Sequence, residues 1–142
     1  MKIAYIFQHF ATNEGRTGTR GYDVGRHLVE QGHEVTMICG LFGLSGLAPM
    51  PPWQLFRTEH IEGMKVVVCN VPYSNKLSIP QRAWAFFGYA GLATVALARE
   101  SNLDVVFGTS TPLTVGLPTR IGAALKRVPY VFEVRDLWPE DL

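Results

Sequence analysis

The sequence predicts an α/β fold, a doubly wound and mainly parallel sheet with helices on both faces. Three observations carry this. Short apolar runs alternate with longer helical segments. The runs are apolar throughout, as strands covered on both faces are. The first forty residues already complete a strand, loop, helix, strand unit.

Lys2 to Phe7 is the first strand, and Ala11 to Thr17 a polar loop. Gly18 to Gln31 is a helix with Tyr22, Val24, Leu28 and Val29 near helical spacing, closed by Gly32. Glu34 to Cys39 is the second strand. Gly40 to Pro52, rich in Gly, Pro and Leu, reads as a flap with exposed apolar residues. Gln54 to His60 and Met64 to Val71 flank an Ile61-Glu62-Gly63 turn and predict a hairpin whose second arm is the third sheet strand, making the sheet mixed at this edge. Ile79 to Glu100 is a long helix, Asp104 to Gly108 the fourth strand, Pro112 to Arg127 a helix ending in cations, and Pro129 to Val134 the fifth strand. The expected order is 3-2-1-4-5, with ligands at the carboxyl ends of the first and fourth strands.

At 142 residues, 47% hydrophobic and 18% charged, the chain suits one domain burying roughly 68–70% of its unfolded surface, which excludes disorder. A net charge of +1 with interspersed signs excludes a nucleic-acid stripe. Cys39 and Cys69 have no second pair, so neither a zinc knuckle nor a disulfide framework is written, and a reducing cytoplasm fits. The N-terminal apolar run is too brief for a signal-peptide core. The uncharged stretch Ala83 to Ala98, sixteen residues, is shorter than a membrane span.

Topology gathers the loops Asn13 to Arg20, Thr109 to Pro112 and Arg135 to Asp141 at one crevice. Gly15, Gly18 and Gly21, with Arg16 and Arg20 between them, open a helix and suit a phosphate; the alternative is a plain connecting loop. No G-x-G-x-x-G, P-loop, H-E-x-x-H or G-x-S-x-G motif is present, which disfavours nicotinamide, P-loop, metallo- and serine-hydrolase chemistry. Thr109, Ser110 and Thr111 offer hydroxyls either to a ligand or to the N-terminus of the next helix, where Pro112 fits. Glu133, Arg135, Asp136, Glu140 and Asp141 form either a site of mutually perturbed groups or a salt-bridge network. His9 faces the crevice; His27, His33 and His60 lie elsewhere. Trp84, Phe86, Phe87, Tyr89 and Leu92 form an apolar block expected to pack as core, with a membrane or lipid-linked substrate as the alternative.

Gly18-Thr19-Arg20, Leu28 to Thr36 with its Gly-His-Glu-Val, Asp104 to Thr114, and Val128 to Glu140 with its Glu-Val-Arg-Asp-Leu-Trp-Pro-Glu run resemble GT-B glycosyltransferases of family four. The last two segments are similar to the branch that builds capsule, O-antigen and colanic acid. The resemblance implies a truncated Rossmann-like, acceptor-side N-terminal domain over residues 1–142, with transfer from a nucleotide-sugar donor by a retaining mechanism in a cleft against a second domain. That donor-binding C-terminal domain has no counterpart here, so the chain alone is expected to be inactive. Gly18, Thr19 and Arg20 carry the donor phosphate or sugar role; Arg135, Asp136 and Glu140 are the catalytic candidates; His9, Thr109, Ser110 and Thr111 border the acceptor. Neither cofactor nor metal is implied. Expected partners are a nucleotide sugar, a saccharide or lipid-linked acceptor, the inner membrane by peripheral contact from the cytoplasm, and a second copy in a homodimer. The other function class is a non-catalytic Rossmann-like module that binds a partner chain. A nucleotide-sugar epimerase-like fold is weaker, for want of the dinucleotide fingerprint.

Overall fold

A computed structural model describes residues 1–8, 20–40, 51, 53–71, 78–110 and 113–134. The strands are β1 (Lys2–Ile6), β2 (Glu34–Cys39), β3 (Phe56–Ile61), β4 (Met64–Cys69), β5 (Val105–Thr109) and β6 (Tyr130–Glu133). The helices are α1 (Arg20–Glu30), α2 (Ile79–Ala98) and α3 (Gly116–Lys126), the last preceded by a 3-10 turn at Leu113–Val115. The sheet order is β3-β4-β2-β1-β5-β6. β1 pairs in parallel with β2 and β5, β2 with β4, and β5 with β6. The predicted 3-2-1-4-5 order is thus observed, with β3 added antiparallel outside β4. Its turn places Glu62 and Gly63 both at positive φ, as a two-residue hairpin loop matched to strand twist requires.

Alternation along the strands divides the core. Tyr5, Phe7, Met37, Val66 and Val68 pack with Tyr22 of α1 on one face. Ala4, Ile6, Ile38, Val67 and Val106 pack with Tyr89, Ala93 and Leu97 of α2 and Ala123 of α3 on the other. Glycines set the helix approaches: a Cβ at Gly25 would collide with Met64, and one at Gly108 with Thr119. α1 ends as the sequence indicates. Gly32 has φ +91°, its N–H donates to the Val29 carbonyl, and the His33 N–H donates to that of Leu28, which completes a left-handed helix stop. α3 ends the same way without glycine, Arg127 taking φ +56°.

α2 starts at Ser78, whose hydroxyl accepts from the Gln81 N–H while the Gln81 side chain accepts from the Ser78 N–H. Its inner face, Ala85, Tyr89, Ala93, Ala96 and Leu97, is buried. The expectation of a core block fails for Trp84 and Phe87, which are 80% and 58% exposed, because they fall on the outward side of the helix. Among the described residues no helix is long and apolar enough to cross a membrane. The flap expected over Gly40 to Pro52 lies almost wholly outside the described residues.

Candidate functional site

Strand order reverses at β1, which has β2 on one side and β5 on the other. In an open parallel sheet this reversal opens a crevice at the carboxyl ends of the strands. The chain leaves β1 through Phe7 and Gln8, β2 through Gly40, and β5 through Ser110. Backbone hydrogen bonds hold these exits together: the Gly40 N–H donates to the Gln8 carbonyl and the Ser110 N–H to the Glu133 carbonyl, both at 2.9 Å.

The polar side chains here are buried, and they face both sides of the sheet. On the α1 face, the Thr109 hydroxyl donates to the Tyr5 phenolic oxygen at 3.3 Å, and Tyr5 itself meets Phe107 edge-on at 4.8 Å between centroids. Glu133 is the register partner of Thr109, which brings a carboxylate to the same edge. On the α2 and α3 face, the Gln8 side chain and the Tyr89 ring flank Gly40, where a Cβ would lie 3.6 Å from Gln8 Cγ and 3.9 Å from Tyr89 Cδ2. Gln8 is 1% exposed, yet its Oε1 has no hydrogen-bond partner among the described residues, and the same holds for Thr114 Oγ1 in the turn before α3. The floor below is inert. Burial pushes the Cys39 thiol and the Tyr89 phenol well above their ordinary ranges and Cys69 up to about 12, so all three stay neutral at physiological pH.

Of the residues expected from the sequence, Thr109 and Ser110 lie at this edge and are buried together with Tyr5 and Gln8. Arg20 opens α1. His9, Gly18, Thr19, Thr111, Arg135, Asp136 and Glu140 lie outside the described residues. One expectation is corrected. Thr109 and Ser110 do not cap the next helix, because the chain makes a 3-10 turn first and α3 begins at Gly116 with no side-chain cap at Val115. Sequence reasoning missed Tyr5, Gln8 and Thr114 as site residues. The available signal was a polar Gln closing an apolar strand; Tyr5 read as a residue of that buried strand and Thr114 as part of the helix expected from Pro112.

Open grooves also lie elsewhere, among them two with charged linings. One, of about 370 Å³, runs between β3, β4 and the end of α2, where Lys65 meets Glu100 at 2.9 Å. The other, of about 380 Å³, is at the amino edge, where the Lys2 N–H donates to Asp104 at 2.7 Å. The carboxyl end differs in holding buried polar atoms, Gln8 Oε1 and Thr114 Oγ1, without a hydrogen-bond partner among the described residues.

Residues 17–142 match the glycosyl transferase 4-like domain. The chain belongs to that family. A glycosyltransferase-type domain implies a sugar donor and an acceptor in general. Two crystal structures of the C-terminal domain of a hydrogenase from Pyrococcus furiosus, residues 78–226 and 83–215, are similar in fold. Each has a TM-score of 0.60, at 14% and 15% identity, covering 93% of this chain and 90% of that one. At such identity the likeness is one of fold alone. No curated protein matches the chain.

Proposed function

We propose that the chain is the acceptor-side, Rossmann-like domain of a retaining glycosyltransferase that moves a sugar from a nucleotide-sugar donor to a saccharide or lipid-linked acceptor in surface polysaccharide assembly. The observation that carries this is the set of buried, uncharged hydrogen-bonding groups at the β1–β5 crevice of a glycosyl transferase 4-like domain: Tyr5, Gln8, Thr109, Ser110 and Thr114. Such groups suit sugar hydroxyls, which need both donors and acceptors in fixed directions.

In this reading Gly18, Thr19 and Arg20 approach the donor diphosphate at the start of α1, where backbone N–H groups and the helix dipole favour an anion. His9, Thr109, Ser110 and Thr111 orient the acceptor, and Arg135, Asp136 and Glu140 handle the proton and charge of transfer from the loop after β6. A second domain holds the nucleotide, and residues 1–142 alone do not transfer, because one wall cannot position both substrates.

The membrane side of the reading rests on α2. Ile79, Trp84 and Phe87 are exposed on its amino-terminal half and suit the interface where a lipid-linked acceptor is held at the inner membrane face.

The test offers nucleotide sugars and a polyprenyl-linked saccharide to the native protein that contains this chain and to residues 1–142 alone. Transfer by the first and none by the second is expected. Transfer by the isolated chain contradicts the division of labour, and transfer by neither contradicts the reading.

A second reading, a homodimeric interaction module, is favoured by one border. β6 is an edge strand with exposed Val131, and α3 beside it exposes Leu117, Ile121 and Leu125 at four-residue spacing. A stable dimer in gel filtration that is lost with Ile121→Asp supports it; a monomer at all concentrations rules it out.

A further inference from the structure

We infer that the outer surface of the α2–α3 layer docks on an anionic lipid surface, with α3 supplying cations that select the headgroup charge. The inference deepens the membrane side of the reading above, and rests on that side alone, by naming the lipid charge and the second helix.

α2 and α3 pack side by side on one face of the sheet, so closely that a Cβ at Gly122 of α3 would collide with Leu97 of α2. Their buried stripes point to the sheet, and their opposite sides form one outer surface. On α2 that side carries exposed Trp84, Phe87 and Val95; on α3 it carries exposed Leu117, Ile121 and Leu125, which recur every four residues. An apolar surface spread over two helices marks a contact, and the charge around it selects the partner.

That charge has one sign. Arg82, Arg120 and Lys126 lie in the two helices, Arg99 and Arg127 cap them, and neither helix contains an aspartate or glutamate. The layer thus takes five of the thirteen basic residues and none of the twelve acidic ones, which leaves the rest of the chain with eight basic residues against twelve acidic. Among the described residues Arg120, Lys126 and Arg127 enter no ion pair. Arg120 stands inside the apolar stripe, where with Leu117, Ile121, Ala124 and Leu125 it lines an open groove of about 430 Å³. An anionic membrane meets both needs: its acyl boundary takes the apolar side chains, and a guanidinium among them extends to a headgroup phosphate. A second copy meets only one. A two-fold contact through α3 presents the same cationic surface from the partner and brings no carboxylate from that helix to it.

The test measures co-sedimentation of the native protein that contains this chain with vesicles of phosphatidylethanolamine and phosphatidylglycerol, and with vesicles of phosphatidylcholine. Wild type is expected to bind the anionic vesicles about tenfold or more tightly than the neutral ones, and to lose most of that preference in about 0.5 M salt. The double variant Arg120→Gln with Arg127→Asn removes two exposed cations, and Asn keeps the left-handed helix stop at 127. Each cation strengthens anionic binding by about fivefold, so the variant should lose about tenfold or more on anionic vesicles and nothing on neutral ones. Equal binding of wild type to the two vesicle types, a test that needs no variant, overturns the inference. So does a folded double variant that binds anionic vesicles like wild type. A wild-type dimer that Ile121→Asp splits and that does not sediment with vesicles gives the surface to a second copy and also overturns it. Transfer to a soluble saccharide is assayed on the same samples. Transfer without an anionic preference removes the docking surface and leaves the glycosyltransferase reading standing; an anionic preference without transfer supports the surface and removes that reading.

Discussion

The Tyr89 hydroxyl donates a 2.6 Å hydrogen bond to the Ile38 carbonyl oxygen, pinning α2 to the end of β2 beneath the crevice. The same oxygen accepts the Phe7 N–H at 3.1 Å, so it joins helix, β2 and the exit of β1 at one point. Tyr89→Phe removes one of these two bonds without leaving the carbonyl unpaired. The expected loss is about 1 kcal/mol, read as a lower urea midpoint at constant slope. An unchanged midpoint would show that packing of the ring alone holds α2 here.

The buried thiols make a pH prediction. Desolvation raises Cys39 well above its ordinary value of 9.0 and Cys69 up to about 12. The unfolded chain ionises both thiols first, so the stability they contribute is complete below pH 9 and is lost as pH rises beyond it. The slope is about 1.4 kcal/mol per pH unit for each thiol. Urea midpoints should hold steady between about pH 7 and pH 8 and fall between about pH 9 and pH 10. Cys39→Ala with Cys69→Ala should flatten that fall; an equally steep fall in the double variant would assign the titration to other groups.

Gly108 lies under Thr119, with no room between β5 and α3 for a methyl group. Thr119 is held in place by its hydroxyl donating to the Val115 carbonyl at 2.8 Å. Gly108→Ala must push α3 away from the sheet at the strand that carries Thr109 and Ser110. We expect a loss of about 1–3 kcal/mol in thermal or urea unfolding, recovered in part by Thr119→Ala, which removes the hydroxyl and methyl that collide with the added carbon. Full stability in the single variant would mean that the helix sits less tightly than the structure shows.

The exposed aromatic residues of α2 predict membrane behaviour. Trp84→Asp with Phe87→Asp changes two outward-facing residues and should leave melting nearly unchanged. Co-sedimentation with vesicles of phosphatidylethanolamine and phosphatidylglycerol should drop by about tenfold or more, because the apolar area entering the interface is lost. Equal sedimentation of wild type and variant would remove α2 as the contact.

The strands and their order were legible because burial on both faces writes uninterrupted apolar runs, as in Lys2 to Phe7 and Glu34 to Cys39. Gly32 and the Glu62-Gly63 turn were legible because each needs a positive φ. The outward side of α2 was not, since a helix whose single charge is Arg82 gives no periodicity to separate Trp84 from Tyr89. The start of α3 was misread because threonines and a proline before a helix look like a cap, whereas an intervening 3-10 turn leaves no such mark. At the site, Thr109 and Ser110 follow from strand order, while the importance of Gln8 and Thr114 depends on which atoms lack partners, a property of the packed structure alone.

The central claim is that the carboxyl end of the sheet between β1 and β5 receives a saccharide. Amide chemical-shift mapping of residues 1–142 with methyl hexopyranosides tests it most directly. The account predicts shifts centred on Gln8, Gly40, Thr109 and Ser110, with Gly32, Asn102 and Asp104 at the opposite edge unmoved. Shifts centred on that amino edge, or on the Lys65–Glu100 groove, would contradict it.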